Sequence, residues 1–354
     1  MVTHSTKLQS LKTTAHAVIG VLFLATFFGL VKHHPMVPRK VSPWPIRKIQ
    51  GQDIFPWHGP VAKVAIIDTG VAHNPFLVTN RITHLSVTTA KSTMVHGTMV
   101  AGILVAAGTR ATQPLGLILT SHLLAILAGT DSGTSQRDLA QAIIVAVKRG
   151  AKVINISMGS ITASTSLRRA VVFANRHGVV IVAAAGNNAS VTNDYPAQFP
   201  SVIAVAAVTQ TGTLADHTDY NARHDIAAPG NLIKTTTPRL GKHGQYIGWL
   251  SGTSAAAPFV TAACAVLLGI DPSLTPHELK DILYRTAQTH PSSHGLIRIV
   301  DVRRAMAVVR GLASELLPPL RFMRPRTWPL ERAGWSRPTI SKLHGIYVFT
   351  SPRE

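Results

Sequence analysis

The stretch "VAKVAIID", residues 61–68, guides the interpretation of the whole chain, because it is a short and nearly continuous apolar run that ends in an acid. A strand buried on one face alternates apolar and polar residues, whereas a continuous β-branched run is typical of a strand buried on both faces of a parallel sheet. Runs of the same type recur, and we predict further strands at 122–129, 151–159, 178–187 and 201–208.

Helical patterns lie between these runs. Residues 136–150 and 166–178 both end in basic residues followed by Gly, which is typical of a helix C-terminus, and another helix is predicted near 97–107. Strands that alternate with helices predict an α/β fold of three layers, with a mostly parallel central sheet and helices on both faces. Later helices are predicted from Ser254, over 276–286 and over 301–310.

The composition limits the possible functions. The 354 residues are 46% hydrophobic, which suffices for one large domain with appendages. Lys and Arg number 35 against 15 Asp and Glu, a formal net charge of +20. The basic residues are spread out and are not interleaved with aromatics, so we expect no nucleic-acid partner. An acidic compartment or an anionic membrane surface accounts equally well for the charge.

Cysteine usage excludes two classes of protein. Cys264 is the single cysteine of the chain. Neither a disulfide framework nor a metal site built on several thiolates is therefore available. We expect Cys264 to be a small buried hydrophobe in a helix.

Residues 1–44 are predicted to be a signal or anchor segment followed by a linker. Lys7 and Lys12 precede an apolar run at 17–31, which is slightly short for a membrane span and suits the core of a signal sequence. No convincing small-x-small cleavage site follows this run. We expect export with membrane association through residues 15–31, or secretion if the segment is cleaved.

Four polar residues fall at the ends of predicted strands and helices, where sites gather in parallel sheets. Asp68 follows the first strand, and Asn187 follows the strand at 178–187. His96 and Ser254 stand at the starts of helices rich in small residues. Acyl transfer requires a hydroxyl, an imidazole base, a carboxylate that orients the base and a donor for an oxyanion.

Taken alone, Ser254 has two interpretations. Serine is a common N-cap, whose side chain accepts a hydrogen bond from an otherwise unpaired backbone N–H. In "SGTSAAAP" (251–258) the neighbours are small and Pro258 suits a first helical turn. This pattern equally fits a nucleophile with cleared access beside free N–H donors.

The motifs "DTG", "HGTMVAG", "AAAGNN" and "GTSAAAP" occur in the order and approximate spacing of the subtilases, and over about residues 45–310 the chain resembles this family of subtilisin-like serine proteases. "YPAQFPSVIAVAAV" and "DIAAPG" also stand at the expected places. The resemblance implies that Ser254 attacks the peptide carbonyl and that His96 acts as base and then as acid. It also implies that Asp68 orients His96, and that Asn187 and the backbone N–H of Ser254 bind the oxyanion.

The resemblance places a subtilisin-like catalytic domain at 45–311 and leaves 312–354 as a basic tail rich in Pro, Trp and Arg. We expect this tail to be extended, either wrapping a surface or mobile. Only about 30 residues separate the anchor from the catalytic domain, too few for the folded pro-domain typical of the family. Either maturation is absent or another chain assists folding.

A substrate cleft is also implied. Two segments resemble edge strands that pair with an extended peptide, and 183–186 resembles a wall of the pocket for the residue before the cut. Asp194 resembles the pocket floor, and a carboxylate there predicts a preference for Lys or Arg. Alternatively, Asp194 points to solvent or caps a turn. The predicted substrate-binding residues are Ser132, Gly133, Thr134, Ser157, Met158, Gly159, Ala185, Gly186 and Asp194.

The chain departs from the family pattern at the calcium-binding acid. Ala72 or His73 stands where relatives commonly carry that acid, and the loop after the His96 helix is short. Hard cations need several oxygen ligands, so we expect no essential calcium, no other metal and no cofactor. Met99 stands where many relatives carry a second histidine in the His motif. This position lies outside the proton relay.

The segment "LADHTDYN", 214–221, also departs from the family, which is mostly rich in Ser and Asn there. Asp216, His217 and Asp219 carry groups that bind metals, but adjacent polar residues in a loop usually face water. We expect these three side chains to face water.

The leading hypothesis is an exported serine endopeptidase that acts on polypeptides. The alternative is a catalytically silent relative that binds peptides or serves as a scaffold at the cell envelope. The presence of all four catalytic residue types argues against it. A third hypothesis is a binder of anionic polymers, whose affinity would depend steeply on salt. The sequence predicts no oligomeric state.

Overall fold

The computed structural model describes residues 43–190, 193–219, 226–240, 245–292, 295–312, 339–343 and 346–350. Its strands are β1 (Val64–Asp68), β2 (Ile82–Ser86), β3 (Leu123–Leu127), β4 (Gly129–Thr130), β5 (Gly133–Thr134), β6 (Val153–Ile156), β7 (Val180–Ala184), β8 (Ile203–Val208), β9 (Ile226–Pro229), β10 (Ile233–Leu240), β11 (Gln245–Leu250), β12 (Gln288–Ser292), β13 (Gly295–Ile299), β14 (Thr339–Leu343) and β15 (Ile346–Thr350).

The α-helices have the following bounds: α1 (Trp44–Lys48), α2 (Val95–Val105), α3 (Gln136–Lys148), α4 (Thr165–Arg176), α5 (Thr253–Ile270), α6 (Pro276–Thr286) and α7 (Val302–Val309). The predicted helices agree with α2, α3, α4, α6 and α7 to within two residues at each end, and α5 begins one residue before the predicted start at Ser254. Ser135, Ser164 and Thr275 cap α3, α4 and α6 by accepting hydrogen bonds from backbone N–H groups. These caps satisfy donors that have no partner within a helix.

The central sheet has nine strands in the order β12-β13-β9-β8-β7-β6-β1-β3-β2. All neighbouring pairs are parallel except β12 and β13, which form an antiparallel hairpin at one edge. The five predicted strands form the contiguous set β3, β1, β6, β7 and β8. The predicted three-layer α/β fold is confirmed.

Strand β1 shows why the apolar runs are continuous. Val64 and Ile66 pack in one hydrophobic cluster, which includes residues of α2, α5, α6 and α7. Ala65 and Ile67 face the opposite way and pack in a second cluster, which includes residues of α3 and α4. Successive side chains of a strand point to opposite faces, and here both faces are covered by helices.

Helix α5 is the central element of the first cluster. Sixteen consecutive residues, 253–268, are buried. Cys264 is one of them, which confirms the prediction of a small buried hydrophobe, and burial raises the pKa of its thiol. In the part of the chain that the structure describes, α5 alone is long and apolar enough to span a bilayer, but it lies inside the protein.

Several strands escaped the sequence prediction because they lack a continuous apolar run. Strand β2 is an edge strand whose residues are all at least partly exposed. Strands β10 and β11 form an antiparallel hairpin, and β10 is rich in threonine. The expected extended tail is also partly wrong, because β14 and β15 form an antiparallel hairpin within it. The predicted anchor at 15–31 lies outside the described residues.

The hairpin β10–β11 packs closely on α2 at Gly102. The hydroxyls of Thr235 and Thr236 donate to the carbonyls of Met99 and Thr98 at 2.5 and 2.7 Å. A Cβ at Gly102 would lie 2.2 Å from Thr236 Oγ1 and 2.4 Å from Thr235 Oγ1. Glycine is therefore required for this backbone approach.

Gly102→Ala is expected to lower the free energy of unfolding by about 1–3 kcal/mol, because the added methyl overpacks the contact with the hairpin. Urea denaturation measures the loss. Asn175→Ala, at an exposed position of α4, is the control and is expected to change stability by less than about 0.5 kcal/mol. Helix propensity alone predicts that alanine at 102 stabilises by ~1 kcal/mol, so an increase in stability would contradict the steric argument.

Candidate active site

Asp68 is the last residue of β1, and its side chain is fully buried at the carboxyl edge of the sheet. Its Oδ1 lies 2.8 Å from His96 Nδ1 and accepts a hydrogen bond from the Thr69 N–H at 2.7 Å. Its Oδ2 has no hydrogen-bond partner in the part of the chain that the structure describes. A buried carboxylate requires a donor or a cation, and the His96 ring supplies both.

His96 is the second residue of α2, and close backbone packing places it beside Asp68. A Cβ at Gly97 would lie 2.1 Å from the Gly70 carbonyl oxygen, so only glycine allows the start of α2 to approach the end of β1 this closely. The Gly97 N–H donates to Thr69 Oγ1 at 3.0 Å, which locks the approach.

The charge of Asp68 determines the protonation of His96. The neighbouring carboxylate raises the pKa of His96 above its ordinary 6.5, although burial opposes this, and Asp131 raises it further. An ionised Asp68 accepts the proton on Nδ1, which leaves Nε2 as the basic nitrogen of the neutral ring.

Ser254 is the second residue of α5 and is 6% exposed. Its hydroxyl donates to the Ser157 carbonyl at 3.2 Å, and the Ser157 hydroxyl donates back to the Ser254 carbonyl at 3.3 Å. The N-cap position belongs to Gly252, so the interpretation of Ser254 as a helix cap is wrong. Within the described residues, the Ser254 hydroxyl is bonded to Ser157 and not to His96.

A series of hydrogen bonds between buried side chains leads from the interior of α5 to Ser157, the hydrogen-bond partner of Ser254. Thr261, two turns along α5, donates to the Asn155 side-chain oxygen at 2.9 Å, and the Asn155 amide donates to Ser157 Oγ at 3.0 Å. Asn155 and Thr261 were missed by the sequence prediction. Their signal was a polar residue inside an apolar run, in "VINIS" and "FVTAAC".

Asn187 follows β7, and its side chain is fixed at one end. The oxygen Oδ1 accepts from the Thr253 N–H at 2.8 Å and from the Thr253 hydroxyl at 3.1 Å. Gly252 has φ +121°, and a Cβ there would lie 3.1 Å from the Asn187 amide. Thr253 therefore holds the side-chain oxygen of Asn187 at the start of α5.

The predicted substrate-binding residues fall into two groups. Gly133 and Thr134 form β5, which pairs with β4 in a tight hairpin whose turn contains the exposed Ser132. Segment 157–160 lies beside Asp194 and Tyr195, since Ser160 and Tyr195 exchange two backbone hydrogen bonds of 3.0 and 2.7 Å. Met158 packs against the second hydrophobic cluster. A Cβ at Gly159 would lie 3.0 Å from Asp194 Cβ.

Asp194 is half-buried beside Ala185 and Gly186. Its N–H donates to the Ala185 carbonyl at 2.8 Å. Burial raises the pKa of its carboxyl, and the nearby charge of Asp219 raises it further. Asp194 is thus neither fully exposed nor fully buried, and its place in the substrate pocket stays a prediction.

The expectation that the acids of 214–219 face water is only partly correct. Asp216 is exposed as predicted, but Asp219 is fully buried and does not face water. In the described ranges, no three His, Cys, Asp or Glu side chains are grouped to hold a metal ion. The absence of an essential calcium or other metal stays a prediction.

Comparison with known proteins identifies the family of the chain. The profile of the Peptidase_S8 subtilase family matches residues 59–302. Subtilisin BL of Lederbergia lenta is 33% identical over 258 residues, which cover 71% of this chain and 93% of that protein. A thermophilic serine proteinase of Bacillus sp. (strain AK1) is 41% identical over 174 residues, which cover 49% of this chain but 42% of that longer protein.

Solved structures show the same likeness. The patellamide maturation protease PatA is 30% identical, with a TM-score of 0.62, and the match covers 72% of this chain and 98% of that one. The parallel sheet and its helices therefore agree with those of a known protease. The chain belongs to the subtilase family and is a subtilisin-like serine protease.

Proposed function

We propose that the chain is an endopeptidase in which Asp68, His96 and Ser254 form the catalytic triad. The observation that carries the proposal is the 2.8 Å contact between His96 Nδ1 and the buried Asp68 carboxylate, which orients the imidazole and stabilises its protonated form. His96 Nε2 removes the Ser254 proton as the oxygen attacks the peptide carbonyl, and it then gives the proton to the leaving amine. Water repeats the cycle on the acyl-enzyme.

Activation begins with a rotation of the Ser254 side chain. In its resting position the hydroxyl donates to the Ser157 carbonyl. Rotation about Cα–Cβ exchanges this hydrogen bond for one to His96 Nε2. Hydrogen bonds of catalytic groups are often loose before substrate binds and tighten in the complex.

Asn187 is the proposed side-chain donor of the oxyanion hole, together with the backbone N–H of Ser254. The hold of Thr253 on Asn187 Oδ1 supports this role, because it leaves Nδ2 to donate elsewhere. A donor of this kind stabilises the transition state by ~2.7–4 kcal/mol.

We further propose that the pocket before the cut prefers Lys or Arg. The support is the position of Asp194, half-buried beside Gly159 and Gly186. A cationic substrate side chain pairs with this carboxylate, whereas an apolar one leaves it desolvated without a partner. Backbone pairing along 157–159 and 132–134 then accepts many sequences.

The chain is proposed to act on polypeptides after export, with residues 15–31 as membrane anchor or as a cleaved signal. The support is the apolar run itself with its flanking lysines. Domain boundaries at 45–311 and 312–354 are part of the same proposal.

A fluorophosphonate probe is expected to label the wild-type protein and not Ser254→Ala, because only an activated serine attacks the probe. Peptide hydrolysis by the variant is expected to fall by roughly 10⁶. Ser251→Ala, at an exposed neighbouring serine, is the control and keeps both signals. A folded wild-type protein that stays unlabelled would support the catalytically silent alternative.

The pH dependence of kcat/KM is expected to follow His96. The base acts only when neutral, and Asp68 raises its pKa, so kcat/KM falls with decreasing pH through an inflection above 6.5. Asp68→Asn removes the charge and is expected to move the inflection down and to reduce kcat by about 10⁴. Asp138→Asn, at a partly exposed position of α3, leaves the profile unchanged. An unmoved inflection in Asp68→Asn would contradict the assignment.

Asp194→Ser is expected to reduce the preference for Arg over Leu before the cut by roughly 10- to 100-fold, a discounted value because the carboxylate is half-exposed. The preference is also expected to weaken in acid, since the raised pKa means that Asp194 becomes neutral at a higher pH than an ordinary carboxyl. Matched reporter peptides with Arg, Leu or Phe measure it, with Asp216→Ser as the control. Equal wild-type rates on the three peptides would refute the preference.

A further inference from the structure

Asp219 has no role in the proposed triad, yet it is a fully buried carboxylate beside the active site. Its Oδ1 accepts hydrogen bonds from the Asn188 N–H at 2.7 Å and from the Ser190 N–H at 2.9 Å. Its Oδ2 lies 3.4 Å from the Asn188 side-chain nitrogen. Hydrogen bonds from N–H groups to an ionised carboxylate are about twice as strong as neutral ones.

Backbone groups of 217–219 also form hydrogen bonds with the loop that contains Asn187. The Asp219 N–H donates to the Gly186 carbonyl at 3.0 Å, and the Ala189 N–H donates to the His217 carbonyl at 3.2 Å. The segment 217–219 therefore contacts the loop on both sides of Asn187. Four hydrogen bonds from backbone N–H groups thus join 217–219 to a turn that belongs to no helix or strand.

Gly186 explains why the carboxylate fits in this place. It has φ +124°, and a Cβ there would lie 1.9 Å from Asp219 Oδ2 and 3.2 Å from Asp194 Oδ2. The missing side chain leaves space for Asp219. In the described part of the chain, no ion pair includes Asp219, so backbone N–H groups are its main compensation.

Asn187 is thus fixed at two points. Thr253, at the start of α5, holds the side-chain oxygen, and Asp219 holds the backbone that follows. Without the Asp219 carboxylate, the N–H groups of Asn188 and Ser190 lose this acceptor, and the backbone after Asn187 is held less tightly. A misplacement of ~1 Å in a preorganised site is worth up to ~10² in rate.

We propose that Asp219 is a positioning residue for the oxyanion hole, which fixes the loop 187–190 so that Asn187 Nδ2 meets the charge that develops on the substrate oxygen. The inference rests on the proposed oxyanion role of Asn187. In this proposal Asp219 does not contact the substrate and affects catalysis only by fixing the position of Asn187.

The experiment is a double-mutant cycle between Asp219→Ala and Asn187→Ala, with kcat and KM measured on one peptide substrate. Asn187→Ala alone is expected to lower kcat by roughly 10²–10³. Asp219→Ala alone is expected to lower kcat by about 10- to 100-fold, with little change in KM, because the lost interaction is made in the transition state. In the Asn187→Ala background, Asp219→Ala is expected to have almost no further effect on kcat.

Two control variants separate positioning from charge and from general destabilisation. Asp219→Asn keeps an oxygen that can accept from Asn188 and Ser190, and its kcat is expected to stay well above that of Asp219→Ala. Asp216→Ala removes a nearby exposed acid and is expected to leave kcat unchanged. Circular dichroism establishes that each variant is folded. If Asp219→Ala does not fold, Asp219→Ser replaces it in the cycle with the same expected outcome, because the serine side chain is one carbon shorter and does not bring its oxygen to the position of Asp219 Oδ1.

Two outcomes would overturn the proposal: an unchanged kcat in the folded Asp219 variant, or a loss of kcat that is equally large with and without Asn187. The second would show a structural contribution independent of the oxyanion hole. Failure of the proposed function has a different signature, since Asn187→Ala alone would then leave kcat at the wild-type value.

Discussion

The close approach of α2 to the end of β1 is the constraint on which the site depends. Asp68 is buried at the edge of the sheet, and one of its oxygens has no partner within the described residues. Such a carboxylate is costly unless a donor or a cation compensates it. The His96 ring does so only because Gly97 lets the two backbones nearly touch. This one contact therefore compensates the buried carboxylate of Asp68 and orients the His96 ring.

Helix α5 both stabilises the fold and positions Ser254, the proposed nucleophile. The same helix that fills the first hydrophobic cluster carries Ser254 in its first turn. Thr261 and Asn155 extend a line of hydrogen bonds from the interior of α5 to Ser157, which contacts Ser254 directly. A buried polar network is rigid when every member is satisfied. Ser254 is therefore supported by the core and not by a surface loop.

The charge distribution around the site contrasts with that of the whole chain. The formal net charge is +20, yet Asp68, Asp131, Asp194 and Asp219 lie close to the proposed catalytic residues or to the proposed substrate pocket. Exposed charges more than about 10 Å away are largely screened at moderate salt, whereas half-buried neighbours are not. The charge of Asp68 is the main cause of the raised pKa of His96, whereas burial is the main cause for Asp194 and the charge of Asp219 is the second.

The sequence by itself determined the layers of the fold, and it predicts which residue types carry out the catalysis. Continuous apolar runs are typical of strands covered on both faces, and basic helix ends followed by Gly are local signals, so five strands and six helices were predicted within a few residues. Edge strands such as β2, and the hairpin β10–β11, have partly exposed or polar residues and carry no such signal.

Only the tertiary structure decided how the polar residues are used. Local sequence allowed Ser254 to be a cap, Asp219 to face water, and Asn155 and Thr261 to be ordinary core positions. Each of these was decided by a partner 31 to 106 residues away in the chain: Ser157 for Ser254, Asn188 for Asp219, and Asn155 for Thr261. A hydrogen bond depends on distances of a few tenths of an ångström, which only the packing of distant elements sets.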